Sequence, residues 1–262
     1  MAKVLAVNAV VEKLDEAFEQ HVSIAPLTEQ YPSLTVEEAY AVQMNRVEQA
    51  LRSGEVISGK KIGLTSEAMQ NLLGVDQPDY GHLFQSMEVQ HGASVQLSQL
   101  FQPKVEGEIA FVLKEDLAGP NVTAEDVLQA TDYVVAAIEI VDSRIKDWRI
   151  KIEDTVADNA SCGLYVLGTT KRKVNEIELQ NIEMQLQIDG QVYNEGRGSD
   201  VLGDPALCVA WLANKLYEYG ARLQAGEVVL SGALSAAAVA VEGNTYTAQF
   251  TELGEVTVRF EK

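Results

Sequence analysis

One segment constrains the fold of this chain more than any other. Between Val134 and Val141 (VVAAIEIV) a single polar residue, Glu139, interrupts an apolar run. Such a run predicts a strand buried on both faces, where a lone carboxylate is costly unless it is protonated, paired with a cation or bound to a metal. Two interpretations stay open at this point: a salt bridge to an arginine such as Arg144, or a metal ligand.

A second segment, Val105–Leu113 (VEGEIAFVL), alternates as a strand does. Glu106 and Glu108 fall on one face together with Ala110 and Val112. The simpler interpretation is a half-exposed strand whose solvent face begins with two glutamates, but the apolar residues on that face argue against it. Two carboxylates two residues apart on a strand project side by side at about 7 Å, near enough to share one hard cation.

These two strands together supply three carboxylates. Oxygen-only ligands favour hard cations over zinc or copper, so Glu106, Glu108 and Glu139 predict a site for Mg²⁺ or Mn²⁺. The histidines are scattered without ligand spacing and are interpreted as structural or surface residues: His21, His82 and His91.

The charge balance narrows the class of partner. The chain carries 39 acidic and 20 basic residues, a formal net charge of -19. Such a surface repels nucleic acid and anionic lipid, so we expect neither as a partner. An anionic substrate must instead meet a local positive charge, supplied by a bound cation or by a few placed lysines and arginines.

The cysteines and the N-terminus indicate the compartment. Cys162 and Cys208 are the only cysteines, which gives no disulfide framework and no structural zinc site. The N-terminus becomes acidic too early for a signal peptide, and no stretch reaches the roughly 18 apolar residues of a membrane span. We therefore expect a cytoplasmic protein. Cys162 has no basic partner nearby in sequence and is not expected to act as a nucleophile.

The pattern along the chain predicts an α+β fold. The first fifty residues predict two helices, the second opened by a capping box of Thr35 and Glu38 and closed near Gly54. Further helices are predicted after Thr123 and from Asp204 to about Gly220. A hairpin is predicted around the turn Asp189-Gly190, and VVLSG, TYTAQF and EVTVRF predict the last strands. We expect a helical N-terminal layer, 1–57, and a β-rich metal-binding catalytic domain, 58–262.

Three other short segments are candidates for a pocket, each weak when taken alone. GKKIGLT contains Lys60 and Lys61, which in most proteins would be a solvated pair. QPDYG contains Asp79, in a pattern that more often forms only a turn. VADNASCG is a dense polar run around Ser161 between apolar residues, which is typical of a loop that lines a pocket.

Taken together, these motifs resemble a known family. GKKIGLTSEAMQNLLGVDQPDYGHLF, PKVEGEIAFVL, EIVDSRIKDWRIKIEDTVADNASCG and GRGSDVLGDP occur in the order found in the 2-oxopent-4-enoate (2-hydroxypenta-2,4-dienoate) hydratases of aromatic meta-cleavage pathways. Those enzymes are related to the 4-oxalocrotonate decarboxylases, within the fumarylacetoacetate hydrolase superfamily. The resemblance implies a mixed β-roll, Mg²⁺ or Mn²⁺ on the three glutamates, a pocket including Lys61, Asp79 and Ser161, and a homo-oligomer.

The resemblance also implies an activity, addition of water to 2-hydroxypenta-2,4-dienoate to give 4-hydroxy-2-oxopentanoate. In this hypothesis the cation holds the C1 carboxylate and C2 oxygen of a small anionic 2-oxo or 2-hydroxy acid and stabilises an enolate. Asp79 acts as general base, Lys61 positions or protonates the substrate, and Ser161 holds a substrate oxygen.

Several alternatives stay open. SRIKDWRIKIEDTVADNASCG is similar to the hydratase version of that segment, but the alanine-rich Ser231–Val239 is similar to the decarboxylases. A decarboxylase would use the same enolate stabilisation. A non-catalytic partner subunit of one would be expected to have a degraded site, and a carbon–carbon bond hydrolase of the wider superfamily would not be expected to carry KIGLT and QPDYG. A complex with a decarboxylase or aldolase of the same pathway is a further expectation.

Overall fold

Two curled β-sheets form the centre of the molecule, in a computed structural model that describes residues 2–262 and the side chains from residue 7 onward. The strands of this described chain are β1 (Ile57–Gly63), β2 (Asp79–Phe84), β3 (Glu88–Val89), β4 (Ser94–Gln96), β5 (Lys104–Leu113), β6 (Thr131–Val141), β7 (Cys162–Leu167), β8 (Glu183–Ile188), β9 (Gln191–Arg197), β10 (Val228–Ala233), β11 (Ala238–Val239), β12 (Thr245–Phe250) and β13 (Gly254–Glu261).

The larger sheet has the strand order β2-β1-β10-β5-β6-β7-β3, with β11 also paired to β5. The smaller sheet has the order β4-β13-β12-β8-β9. Both sheets mix parallel and antiparallel pairs, since β1 runs parallel to β10 and β13 runs parallel to β4. The central pair of the larger sheet, β5 and β6, consists of the two strands that carry the predicted metal ligands.

Helices cover the sheets. They are α1 (Ala2–Gln20), α2 (Leu27–Gln30), α3 (Val36–Arg52), α4 (Glu67–Leu73), α5 (Ala124–Ala130), α6 (Ile152–Ala157) and α7 (Pro205–Glu218). Across the described residues, none of these helices has the length and hydropathy that a bilayer crossing requires. The predicted α+β class is confirmed, whereas the division at residue 57 stays a prediction.

The helix boundaries follow the capping signals. Thr35 accepts a hydrogen bond from the backbone N–H of Glu38 at 3.2 Å, and the Glu38 carboxylate accepts from the N–H of Thr35 at 3.0 Å, which confirms the capping box. Asp204 caps α7 by accepting from the N–H of Ala206 at 2.8 Å. The single-turn helix α2 was not predicted, because its four residues are too few to show a helical period.

The alternation of β5 sorts its side chains between two apolar clusters. Ile109 and Phe111 are buried in the main core together with Met184 and Val258 of the smaller sheet. Ala110 points to the opposite face and lies in a second cluster. The predicted hairpin is confirmed as β8 and β9, with both residues of its two-residue turn at positive φ. The last three predicted strands are confirmed as β10, β12 and β13.

Candidate metal centre and active site

Three glutamates meet on one face of β5 and β6. Glu106 and Glu139 are direct cross-strand partners, and Glu108 lies two residues further along β5 on the same face. One carboxylate oxygen from each lies within 4.8 Å of the others. Glu108 and Glu139 are buried, and Glu106 is half-buried. The structure therefore brings together all three residues that the sequence singled out as metal ligands.

Glu139 faces a lysine and not an arginine. The Nζ atom of Lys61 lies 3.3 Å from Oε2 of Glu139, and both side chains are buried. The alternative partner, Arg144, instead donates from Nε to Oδ1 of Asp158 at 2.6 Å, so the interpretation that Glu139 pairs with Arg144 is wrong. Although Lys61 is close, neither oxygen of Glu139 has a hydrogen-bond partner among the described residues.

Burial and mutual repulsion disfavour the ionised forms of this cluster. Burial, together with the neighbouring Glu139, raises the pKa of Glu106 to about 7. The pKa of Glu108 is raised well above its ordinary value by burial and by both other glutamates. Burial also raises the pKa of Glu139, and the charge of Lys61 opposes this without cancelling it.

The donor set fits a hard divalent cation. Without one, three carboxylates crowd together and leave buried oxygens of Glu139 without hydrogen-bond partners among the described residues, an arrangement that costs free energy. A divalent ion would supply both the missing partners and the missing charge. Carboxylate oxygens alone suit magnesium, manganese or calcium.

A backbone donor orients one of the three glutamates, Glu108. The N–H of Gly232 donates to Oε2 of Glu108 at 2.7 Å. It does so where the pairing of β10 with β5 slips between Leu230 and Ala233. Gly232 has φ of 115° there, and a Cβ atom would lie 2.2 Å from Oγ1 of Thr65, so only glycine fits without displacing its neighbour.

Lys61 and Asp79 converge over Gly63. Strands β1 and β2 pair antiparallel with Gly63 opposite Asp79. A Cβ atom on Gly63 would lie 2.2 Å from Oδ1 of Asp79 and 3.2 Å from Nζ of Lys61, so the bare backbone of Gly63 makes room for both groups. Oδ1 of Asp79 is buried without a hydrogen-bond partner among the described side chains. Burial raises the pKa of Asp79, opposed by the charge of Lys61.

The sequence alone favoured a solvated pair for Lys60 and Lys61 and a turn for Asp79, and both interpretations are wrong. Lys60 and Lys61 are not a solvated pair, because each is 4% exposed. Lys60 forms its own buried ion pair with Glu227 at 2.9 Å. Asp79 does not lie in a turn but begins strand β2, where it is 2% exposed.

Ser161 lies at the end of a strained loop. Asn159, Ala160 and Ser161 have φ of 56°, 52° and 52°, a left-handed conformation that is unfavourable for alanine and serine. The carbonyl oxygen of Ala160 accepts a hydrogen bond from Nζ of Lys61 at 3.2 Å. The hydroxyl of Ser161 lies 3.2 Å from that of Thr155, and both are buried. The loop therefore carries two contacts to the candidate site.

Asn159 fastens this loop to strand β2. Its Oδ1 accepts from the N–H of His82 at 2.8 Å, and its Nδ2 donates to the carbonyl oxygen of His82 at 2.9 Å. Arg144 holds the other end, donating to the carbonyl oxygens of Asp158 at 2.7 Å and Cys162 at 3.1 Å. Burial raises the pKa of the Cys162 thiol, in keeping with the expectation that it is not a nucleophile.

A cavity of about 790 Å³ opens onto this cluster. Its walls include Lys61, Asp79, Glu106 and Ser161, so four of the predicted site residues line one space. Its apolar wall comes largely from α4 and the chain around it: Leu64, Met69, Leu72, Leu73, Ile150 and Leu234. The cavity thus has a charged end and a hydrocarbon-lined wall.

Sequence reasoning missed several residues of this site. Lys104 lines the cavity and lies two residues before Glu106, on the same face of β5. The same alternation that selected the glutamates could have selected it. Thr155 and the clamp formed by Asn159 gave no sequence signal, because each acts through a partner more than five residues away.

Comparison with known proteins places the chain in a family. Residues 41–261 match the family described as fumarylacetoacetate (FAA) hydrolase C-terminal. The chain is 47% identical over 251 residues to a 2-hydroxyhexa-2,4-dienoate hydratase of Comamonas testosteroni, covering 95% of each chain. It is 44% identical over 255 residues to a 2-keto-4-pentenoate hydratase of Burkholderia vietnamiensis, covering 97% of each.

A solved structure extends the likeness to the whole fold. The 4-oxalocrotonate decarboxylase of Pseudomonas putida G7, complexed with magnesium and adipate, superposes with a TM-score of 0.94 at 35% identity and covers 97% of both chains. This match confirms the predicted β-roll architecture. The chain therefore belongs to the fumarylacetoacetate hydrolase family, as its motifs predicted.

Proposed function

We propose that the chain is a divalent-metal-dependent hydratase that converts 2-hydroxypenta-2,4-dienoate and water into 4-hydroxy-2-oxopentanoate in aromatic meta-cleavage catabolism. The observation that carries this proposal is the cluster of three converging glutamates with unsatisfied buried oxygens, in a chain nearly half identical to hydratases of such dienoates. Addition of water places hydroxyl at C4, with new hydrogens at C3 and C5 and the 2-hydroxyl becoming a ketone.

Glu106, Glu108 and Glu139 would hold Mg²⁺ or Mn²⁺. The solved decarboxylase relative contains magnesium, which supports the choice of a hard cation. A cation bound there would supply positive charge beside the substrate's C1 carboxylate and C2 oxygen, where enolate charge develops. The N–H of Gly232 would keep Glu108 turned toward the site.

Asp79 is the proposed general base. A general base must accept a proton and release it again, which is easiest when its pKa lies near the working pH. Burial raises the pKa of Asp79 in that direction. Its Oδ1 makes no hydrogen bond within the described chain, so it is available for a proton from the 2-hydroxyl group or from water. Asp79 also lines the cavity, where the substrate would lie.

Lys61 is the proposed positioning cation. Burial alone would lower the pKa of its ammonium group, but Glu139 and Asp79 outweigh burial and raise it. A lysine held charged in this way is better suited to bind a substrate oxygen than to donate its proton. The hydroxyl of Ser161, which shares a buried contact with Thr155, would hold a second substrate oxygen.

The apolar wall of the cavity favours a hydratase over a decarboxylase. A dienoate carries one carboxylate and a hydrocarbon end, which the side chains of Leu64, Met69 and Leu234 would accommodate. The substrate of a 4-oxalocrotonate decarboxylase carries a second carboxylate. Of the basic residues lining the cavity, Lys61 and Arg149 are already paired with glutamates. The other, Lys104, projects from the same strand face as Glu106, at the charged end and not at the apolar wall.

The decisive assay uses purified protein treated with chelator. With 2-hydroxypenta-2,4-dienoate and added Mg²⁺ or Mn²⁺, the product identified by NMR should be 4-hydroxy-2-oxopentanoate, and turnover should stop without the metal. Glu106→Gln should abolish it, whereas Glu115→Gln, at an exposed residue beyond β5, should not. Turnover by the chelated protein at the full rate would refute the metal-dependent mechanism.

A decarboxylase is the second candidate. The fold match to the solved decarboxylase favours it, as do Ser235, Ala236 and Ala237 of the alanine-rich segment, which line the cavity. Release of bicarbonate or carbon dioxide from 4-oxalocrotonate, faster than hydration of the dienoate, would establish this activity. A purified chain that is inactive with both substrates would favour a non-catalytic partner subunit.

We also propose a cytoplasmic homo-oligomer, able to associate with a decarboxylase or aldolase of the same pathway. Both cysteines are buried and unpaired, as suits a reducing compartment. Edge strand β9 exposes Val192 and Tyr193, which would suit a subunit contact. Light scattering after gel filtration would give the subunit number, and a monomer would refute self-association.

A further inference from the structure

One basic side chain of the cavity, Lys104, forms no direct ion pair with the described residues. Lys61 is paired with Glu139, and Arg149 is paired with Glu29 at 3.1 Å on the outer surface. Lys104 lines the same cavity, and it takes part in none of the ion pairs or hydrogen bonds formed by the described side chains. It is a half-buried cation whose charge is opposed by that of Glu106, but no carboxylate of the described residues lies within ion-pair distance of it.

Lys104 is held in place by an aromatic ring. Its Nζ lies 4.1 Å from the centroid of the Trp148 ring, a cation–π distance. The ring is itself fixed, because Trp148 Nε1 donates to the carbonyl oxygen of Gln102 at 3.0 Å. Asp147 and Trp148 have φ of 60° and 53°, so the turn that presents the ring is built in an uncommon conformation. The ammonium group is thus positioned before any ligand arrives.

The position of Lys104 along β5 places it beside the metal ligands. Lys104 and Glu106 are two residues apart on one strand, so their side chains project from the same face. A substrate carboxylate that approaches Glu106 is repelled by the three clustered glutamates, whose negative charge Lys61 neutralises only in part. A second, unpaired cation at this edge would lower the cost of bringing in that negative charge.

We propose that Lys104 binds the C1 carboxylate of the 2-hydroxy or 2-oxo acid substrate, with Trp148 holding the ammonium group in position. This inference rests on the proposed function, because it presumes a substrate of that class in this cavity. Lys104 is thereby a substrate-binding residue that contributes affinity to every substrate carrying that carboxylate, whatever its hydrocarbon tail.

Binding can be tested without turnover. 2-Oxopentanoate, the saturated analogue that has no carbon–carbon double bond to accept water, should change the intrinsic tryptophan fluorescence of the magnesium-supplied wild-type protein, since Trp148 lines the cavity. Lys104→Met keeps the aliphatic stem but removes the charge, and should weaken this binding by about ten-fold to a hundred-fold, the usual effect of a lost hydrogen bond to a charged group. Lys104→Arg should restore most of the affinity.

Lys146→Met is the matched control. Lys146 is exposed and lies two residues from Trp148, so its loss changes the net charge equally near the same ring without touching the cavity. It should alter affinity less than about two-fold, because exposed charges are screened. An equal loss of affinity in both variants would overturn the inference and leave only a general charge effect.

Kinetics separate this role from the proposed function. If both hold, Lys104→Met raises KM for the dienoate and leaves kcat within about three-fold, as expected when ground state and transition state lose the same contact. A wild-type protein that binds 2-oxopentanoate through Lys104 but does not hydrate the dienoate would refute the hydratase and support the inference. A Lys104→Met variant that binds 2-oxopentanoate normally, and weakens only for 2-oxohexanedioate, would refute it and assign Lys104 to a second carboxylate.

Discussion

The ammonium group of Lys61 lies 3.3 Å from Oε2 of Glu139, yet neither oxygen of that glutamate has a hydrogen-bond partner among the described residues. One buried cation therefore stands beside a cluster of acids that it cannot satisfy. The arrangement costs stability in the metal-free protein and is suited to an ion that supplies the missing contacts.

The first prediction concerns Glu139→Gln. Burial raises the pKa of Glu139, so an uncharged amide of nearly the same shape relieves a desolvation cost in the metal-free state. We expect the metal-free variant to be more stable than the wild type, with a free energy of unfolding roughly 1 to 3 kcal/mol larger. Its turnover should be lost. Urea denaturation in the presence of chelator measures the first effect, and the dienoate assay measures the second.

Magnesium reverses the order of stability. Added Mg²⁺ should stabilise the wild-type protein and have little effect on Glu139→Gln, because a ligand stabilises only the state that binds it. A variant that is less stable than the wild type in chelator would show that Glu139 is satisfied without an ion. That outcome would contradict the interpretation of its unpartnered oxygens.

The second prediction concerns Gly63→Ala. The added Cβ would lie 2.2 Å from Oδ1 of Asp79 and 3.2 Å from Nζ of Lys61, so Asp79 must move first. A displacement of about 1 Å in a catalytic group can cost about 100-fold in rate, and we expect kcat to fall by about that factor. The glutamates are not touched, so magnesium affinity measured by calorimetry should stay within about three-fold of the wild-type value. Loss of magnesium affinity equal to the loss of rate would point to general distortion instead.

The cluster of three glutamates could be predicted from the sequence because its signal is local. Glu139 is the one polar residue of a buried strand, and Glu106 and Glu108 stand on the apolar face of another. Their convergence follows from the pairing of two strands that are adjacent in the sheet. The capping box at Thr35 and the hairpin at Asp189 were predictable for the same reason, since each depends on residues a few positions apart.

The rest of the site depends on contacts between distant segments. The burial of Lys61 requires β1 to lie between β2 and β10, an order that no local pattern encodes. The clamp from Asn159 to His82 joins residues 77 positions apart. The partner of Arg144 was mistaken for a related reason, because Asp158 lies beyond an intervening helix while Glu139 is nearer in sequence.

The third prediction separates strain from hydrogen bonding at Asn159. Asn159→Ala loses both bonds to the backbone of His82 and places alanine at a φ of 56°, whereas Asn159→Gly loses the bonds without the conformational penalty. We expect both variants to lower kcat by about ten-fold to a hundred-fold, because the loop positions Ser161 and the carbonyl oxygen that Lys61 contacts. Only the alanine variant should also lose stability to strain, by about 1 kcal/mol.

Steady-state kinetics and urea denaturation of the two variants give the comparison. If Asn159→Gly keeps the wild-type kcat, the clamp does not position the site and its role is confined to folding. If Asn159→Gly is slow but Asn159→Ala is no less stable than it, the loop is not strained in solution.

The fourth prediction is that the free energy of unfolding decreases at acid pH because His82 is buried in its neutral form. This histidine is 4% exposed, and its Nδ1 lies 3.1 Å from Oε1 of Gln43. Burial, with a smaller effect of Lys60, lowers its pKa from 6.5 to about 3. As the pH falls, His82 therefore takes up a proton near pH 6.5 in the unfolded chain but only near pH 3 in the native protein. The contribution of neutral, buried His82 to stability is complete above pH 6.5 and decreases as the pH falls below it.

The expected slope is about 1.4 kcal/mol for each pH unit between these two values, so His82 should account for a loss of about 2 kcal/mol between pH 6.5 and pH 5. The buried glutamates act in the opposite direction in metal-free protein, because their raised pKa values favour the native state as the pH falls. The slope of the wild type must therefore be compared with that of His82→Gln, whose acids are unchanged. Urea denaturation of both proteins at pH 7, 6 and 5 isolates the difference. Parallel slopes would mean that the native protein protonates His82 over the same pH range as the unfolded chain, which would refute the prediction.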